Sequence, residues 1–531
     1  MHSLVSRWML ICAVASYMLA RPAIAEEKQN NLVTKLLEVS SSEKPADNYR
    51  FTRSGPGWTF FSARGTGQGT LTVKLGGAEG ALVECRPNDK GPAEAFRHLA
   101  AGDHQLRIEA AGDVRLDQLV VKAVPELMHC GLGFNSTIKS YGLYDLEFLK
   151  RDILPNITTL IIPHNLELPQ EVKDDWHRQS KKFVAEVGIN GMAKTALEHF
   201  QHWAGHFDRT PFIDGIIINE FIVNNPSTPN QTLSPERQAR RHQEQDRYRV
   251  YEQALKLLRG DDRYRGKQVY NYFGGSGKKL NQEVIGPTFV RAIIDCDYRI
   301  ALERYVHEMS SEEKSKEALQ TFVDGIADWE AKEPGAKSHM VVAFGLFSMP
   351  PGGINKQPNV DYHVWMDQQM NAVANNPLLD GLAGIEWWTS LLADEETVRF
   401  VGKLYRHYGI EGKREPLTRD PLFLSHVENP DFEKGTDDWT LAPAEPSSIE
   451  QRSFPRYGRI EGRFMGLGRP ADPEHIGDTF LWMKRNEKRP NVFSQTIKNL
   501  EPGRLYSMKM LTCDYNDLVH PQAKKQEEAT G

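Results

Sequence analysis

The longest apolar runs of this chain are short, unbroken and spaced at regular intervals between amphipathic stretches. Phe212 to Phe221 is the clearest, with Ile216, Ile217 and Ile218 in a row before an abrupt stop in Asn219 and Glu220. A run with no polar alternation predicts a strand buried on both faces, as in a parallel sheet covered by helices. From Leu127 to about Tyr408 the same texture predicts eight βα units. The expected strands are His129 to Phe134, Thr159 to Pro163, Phe183 to Gly188, Phe212 to Phe221, Gln268 to Phe273, Val290 to Tyr298, Met340 to Phe347 and Leu382 to Trp388. Helices are expected at Ser234 to Arg259, Ser310 to Glu333, Val360 to Ala374 and Ala393 to Tyr408. Eight such units predict a (β/α)8 TIM barrel over residues 126–411. A doubly wound open sheet is the competing architecture, but no glycine-rich nucleotide fingerprint follows the first strand.

The flanks have a different period. Between Tyr49 and Val124, short alternating runs such as Trp58 to Ala63, Thr70 to Leu75, Gln105 to Ala110 and Leu116 to Ala123 are separated by glycine-rich turns. That pattern predicts a small β-sandwich over residues 26–125. Within it Trp58 is either a core residue or a platform for a sugar ring. After a charged linker at 412–425, a second β-rich region at 426–519 shows strands at Thr479 to Met483, Phe493 to Ile497 and Leu505 to Thr512. Residues 520–531 turn to Lys, Gln and Glu and are expected to be a disordered tail. The fold class is therefore multidomain α/β + β, a central barrel flanked by two β-sandwich modules.

Composition narrows the partners. With 531 residues, 40% hydrophobic and 26% charged, the chain is an ordinary multidomain globular protein. A formal charge of -6 supplies no basic stripe for a phosphate backbone, so nucleic acid is excluded as a partner. Arg7, the apolar segment Trp8 to Ala20 and the small residues Ala23-Ile24-Ala25 read as a signal peptide over 1–25. The chain is expected to be secreted or periplasmic, with no stable membrane anchor after cleavage; an uncleaved anchor is the alternative. Cys85, Cys130, Cys296 and Cys513 are widely spaced, which points to neither a zinc site nor a disulfide framework. Neither metal nor cofactor is expected.

The predicted strand ends carry Asn135, His164, Asn219, Glu220, Tyr272, Asp297, Glu386, Trp387 and Trp388. At the carboxyl ends of barrel strands such residues form the active site. Carboxylates, amides and aromatics on one rim suit a sugar, whose hydroxyls want donors and acceptors while its C–H faces stack on rings. Acetal hydrolysis needs one carboxyl to protonate the leaving oxygen and a second to attack or to activate water. Glu220 and Glu386 form the expected pair, with Asp297 in reserve and Glu186 as either a paired interior carboxylate or a catalytic one. Asp295 and Asp297 face one side of their expected strand, and Trp387 and Trp388 must face opposite sides. The Gly274-Gly275-Ser276-Gly277 loop lacks the phosphate-binding pattern and is expected to edge the site. Asp214, before the apolar run, reads as a turn residue.

Asn219-Glu220 at the end of the fourth strand resembles the Asn-Glu motif of the large clan of retaining (β/α)8 glycoside hydrolases. The resemblance implies that Asn219 holds a sugar 2-hydroxyl and that Glu220 is the proton donor. Glu386, followed by Trp387 and Trp388, is similar to the clan's nucleophile, except that the clan places it on strand seven and the count here gives strand eight. Asn429-Pro430-Asp431-Phe432-Glu433, with Gly435 and Trp439, resembles the start of a jelly-roll carbohydrate-binding module. The expected substrate is a poly- or oligosaccharide. A non-catalytic carbohydrate-binding protein on the same scaffold, or another hydrolase or a lyase using the same carboxylates, are the alternatives.

Overall fold

In a computed structural model of the chain, the described residues are 26–40, 47–77, 80–86, 89–132, 144–163, 166–189, 192–222, 235–274, 279–348, 357, 359–453, 479–508 and the isolated positions 510, 512 and 514–516. Eight parallel strands close into a barrel: Glu126–Cys130, Thr159–Ile162, Lys182–Glu186, Gly215–Ile222, Gln268–Gly274, Arg299–Glu303, Met340–Gly345 and Gly384–Trp388. They are called strands one to eight below. The fourth strand shows why these sequences make such strands. Ile216 and Ile218 pack outward into the layer beneath the helices, while Ile217 joins Val184, Tyr270, Tyr272, Ala301 and Val341 inside the ring. Both faces are dry, so an all-apolar run is the stable choice.

The outer layer includes Pro235–Gly260, Glu312–Lys332, Tyr362–Asn375 and Glu395–Leu404, close to the expected helices. Three of these helices start at a side-chain cap: Ser311 accepts from Lys314 N, Asp361 from His363 N and Val364 N, and Asp394 from Thr397 N. No described helix is long and apolar enough to cross a membrane.

Two strands depart from their expected positions: the first is Glu126–Cys130, three residues earlier than the expected His129 to Phe134, and the sixth is displaced entirely. Val290 to Tyr298 is largely helical, as Phe289–Asp295, and the sixth strand is the shorter Arg299–Glu303. The helical run buries Phe289, Val290, Ala292 and Ile293, residues whose apolar content imitated a strand. Asp297, placed on that strand by sequence, instead lies in the turn before strand six with φ 55°. That turn is at the amino-terminal end of the barrel, opposite the expected active site.

The amino-terminal region forms one continuous seven-stranded antiparallel sheet. Its long strands Gly57–Leu75 and Gly102–Val124 pair along most of their length, and Phe51 meets Phe61 at 6.0 Å across the fold of the sheet. Trp58 is 3% exposed and joins the barrel's hydrophobic cluster, so it is a packing residue and not a sugar platform. Arg406 forks onto both oxygens of Glu94, and Lys122 donates to the carbonyls of Ile410 and Glu411, which ties the sheet to the barrel. Cys85, Cys130 and Cys296 are buried free thiols.

The described carboxyl-terminal residues form two two-stranded ladders, Thr440–Ala442 with Val492–Ser494 and Ile449–Ser453 with Thr479–Met483. No strand forms at 504–508, and Leu505 is 96% exposed. The residues that resemble a binding-module start hold a turn together. Asn429 donates to the carbonyls of Gly435 and Asp437, and Trp439 donates to Asn429 O and packs against Phe432 and Phe493.

Candidate active site

The carboxyl ends of the strands collect acids from three separate segments. Glu186 ends strand three, Glu303 ends strand six, and Glu386 lies within strand eight. Glu186 and Glu303 are half-buried, whereas Glu386 is fully buried. The difference follows from register. Ala343 of strand seven is paired with Glu303 on one side and Glu386 on the other. Glu386 is also level with Met128, and Trp388 stands one inward position above it. Glu386 therefore forms the floor of the opening and Glu303 its wall.

Tyr272 of strand five completes the floor, donating its hydroxyl to Glu386 Oε2, while Glu386 Oε1 has no hydrogen-bond partner among the described residues. Burial pushes the Glu386 carboxyl up to about 8. The Tyr272 bond opposes that shift, and the charges of Glu303, Glu186 and Glu126 add to it. Burial and Glu386 in turn hold the Tyr272 phenol well above its ordinary value. The ring of Trp388, half-buried, lies 5.4 Å from that of Tyr272. Tyr305 bonds Glu303. A Cβ on Gly274 would stand 2.8 Å from Glu303 Oε2, so the carboxylate lies close over bare backbone there.

Strand four adds a local irregularity. Ile218 pairs with Asn271 and Phe221 with Phe273, so Asn219 and Glu220 together oppose the single inward position of Tyr272. Such a bulge re-aims residues beside active sites. Asn219 donates to Glu186 Oε1 at 2.9 Å. The Glu220 side chain lies outside the described residues, as do Asn135, His164 and the loop at 275–278.

Two of the sequence-selected residues are elsewhere. Asp297 lies 3.6 Å from His339 and from Arg299, and its carboxyl is held below the ordinary range by His339, against burial and with help from Arg299. Trp387 is fully buried and points outward onto Phe344, at 5.2 Å, because adjacent strand residues face opposite sides. Trp388 is thus the ring available at the opening. Asp214 accepts from Phe183 N and pairs with His177 at the amino-terminal end, in keeping with a structural role.

Glu303 was missed because the apolar helix before it took the place of strand six. The signal was present in Arg299-Ile300-Ala301-Leu302-Glu303, a short unbroken apolar run that stops at an acid, as the Ile216 to Ile218 run stops at Asn219 and Glu220. Strand seven, Met-Val-Val-Ala-Phe-Gly, holds no acidic residue. Glu386 is on strand eight as counted, so the departure from the resembled clan stands. Among the described residues no group of His, Cys, Asp and Glu is placed to hold a metal ion.

No family model and no curated protein sequence matches this chain. Several of the solved structures it is similar to are glycoside hydrolases with barrel folds. An endo-beta-N-acetylglucosaminidase from Cordyceps militaris is 11% identical, with a TM-score of 0.31 over 53% of this chain and 90% of the other. A fungal beta-1,4-galactanase is 10% identical, with a TM-score of 0.34 over 53% and 100%. The homocysteine methyltransferase MmuM from Escherichia coli also appears, at 11% identity and a TM-score of 0.25 over 47% and 80%. Likenesses this distant assign no chemistry; the barrel follows from the chain's own strand pairing, and the site from its own residues.

Proposed function

We propose that the protein is an exported glycoside hydrolase that cleaves a poly- or oligosaccharide with two carboxyl groups at the carboxyl-terminal mouth of the barrel. The observation that carries this reading is the convergence of Glu186, Glu303 and Glu386 with Tyr272 and Trp388 at the end of the ring where barrel enzymes do their chemistry. Glu220 is the general acid/base, as the Asn219-Glu220 resemblance implies. The second carboxyl, expected from sequence at Glu386, is better supplied by Glu303, which is reachable from solvent where Glu386 is not. Strands four and six are separated only by strand five, so their axes lie roughly 9–10 Å apart. Two glutamates on that spacing reach the range of about 5–9.5 Å that glycosidases use. Asn219 and Trp388 contact the sugar. Glu186, bonded to Asn219, fixes its amide.

Turnover of a polysaccharide panel tests this. Glu220→Gln and Glu303→Gln are each expected to lower kcat by about three orders of magnitude or more, in keeping with loss of acid/base or nucleophilic help. New reducing ends identify hydrolysis, and unsaturated products would assign a lyase. Negligible turnover by wild type and both variants alike, with sugar binding retained, would make the protein a carbohydrate binder.

A further inference from the structure

With Glu220, four glutamates are assigned to a mouth where two suffice for the reaction, and of the three whose side chains are described Glu386 is the one that does not reach solvent. Resting on the reading above, we infer that Glu386 is a positioning residue: as a neutral acid beneath the mouth, it fixes the Tyr272 hydroxyl and keeps a further negative charge away from Glu303. The geometry comes from every element around it. Strand five supplies the Tyr272 hydroxyl on Oε2. Strand six supplies Glu303, separated from Glu386 in register by the methyl of Ala343 on strand seven. Strand three contributes Glu186, and strand one contributes the Cys130 thiol above and Glu126 below. Glu126 is itself engaged by Lys182 and Arg299. Tyr305 and Tyr405 are the further titratable groups that face it.

Ionised, Glu386 would face the acids Glu303 and Glu186, and like charges this close disfavour one another's ionisation. It would also lack water to solvate it. Neutral, it holds Tyr272, whose ring in turn backs Trp388. The mouth then keeps one acid and one base for the sugar, with a rigid aromatic floor.

The test is the pH profile of kcat/KM for the full-length chain. Wild type should lose activity on the alkaline side through two ionisations, that of the Glu220 acid and that of Glu386. Glu386→Gln, a neutral isostere that keeps the Tyr272 contact, should lower kcat only about tenfold, the scale of one perturbed hydrogen bond, and should reduce the alkaline fall to the single ionisation of the Glu220 acid. Glu386→Ala should fall further, about a hundredfold, since it also leaves the buried Tyr272 hydroxyl without its acceptor. An alkaline limb unchanged in Glu386→Gln would overturn the inference. So would a loss as deep as that of Glu303→Gln, which would make Glu386 a reacting carboxyl. If wild type hydrolyses nothing, the hydrolase reading fails by itself. The inference about Glu386 then stands or falls on infrared difference spectra: a protonated-carboxyl band at pH 7 in wild type, absent in Glu386→Gln, supports it, and no such band refutes it.

Discussion

The two ends of one barrel hold two buried glutamates in opposite states. At the amino-terminal end, Glu126 takes hydrogen bonds from Tyr270 and Thr159 and is paired with Lys182 at 3.3 Å and Arg299 at 3.8 Å. Burial works against its charge, but those cations and donors hold its carboxyl at about 2. At the other end, Glu386 is equally buried, has one tyrosine and faces other acids, and its carboxyl rises to about 8. Burial is common to both; the sign of the neighbouring charge separates them. One end is a closed electrostatic plug beside the amino-terminal sheet. The other is an unsatisfied arrangement, the kind that marks functional sites.

Removing the charge of Glu126 tests this contrast most severely. Glu126→Gln leaves Lys182 and Arg299 facing a neutral group, and about 3–5 kcal/mol of stability should be lost in denaturant unfolding at pH 7. Its folded value lies below the ordinary 4.5, so its contribution is present above that pH and is lost as pH falls towards about 2. Glu386 has the reverse sign: its folded value is raised, so its contribution is present below pH 4.5 and is lost as pH rises towards about 8. Unfolding curves across pH should therefore show Glu126→Gln deficient at neutral pH and matching wild type in acid. A deficit that persists unchanged to pH 2 would break the comparison.

The paired tryptophans sharpen it next. Trp387→Ala should cost about 3–5 kcal/mol in unfolding, because it empties a site between strand and helices. Trp388→Ala should cost less stability and raise KM about tenfold, the loss of one stacking contact at the mouth. Equal effects on KM would remove Trp388 from the site. The smallest change belongs to Asp297→Asn, since asparagine tolerates the left-handed turn and the side chain is 65% exposed. Thermal unfolding should move by no more than about 0.5 kcal/mol, with turnover unaltered. A loss of activity there would return Asp297 to the active site.

Much of this was legible in the sequence because parallel strands dry on both faces must be written as unbroken apolar runs. Six of the eight barrel strands were located that way and a seventh, the first, was placed three residues late, and Asn219-Glu220 was marked by the abrupt end of one of them. The sixth strand was not, because Phe289–Asp295 is apolar for a different reason, as a short helix packed between its neighbours. Apolar content alone does not distinguish the two over so few residues. That single displacement carried Asp297 towards the site and hid Glu303.

The sequence by itself determined most of the ring of strands, the spans of four of its helices and the alternation that sends Trp387 and Trp388 to opposite faces, since each follows from local periodicity. Tertiary structure alone decided which of several glutamates is wall, floor or plug. Register across three strands set Glu303 and Glu386 on either side of Ala343, and the Lys182 and Arg299 side chains met Glu126 and not Glu386. Proton affinity depends on charges within a few ångströms, and distances between remote segments are written nowhere in the order of residues.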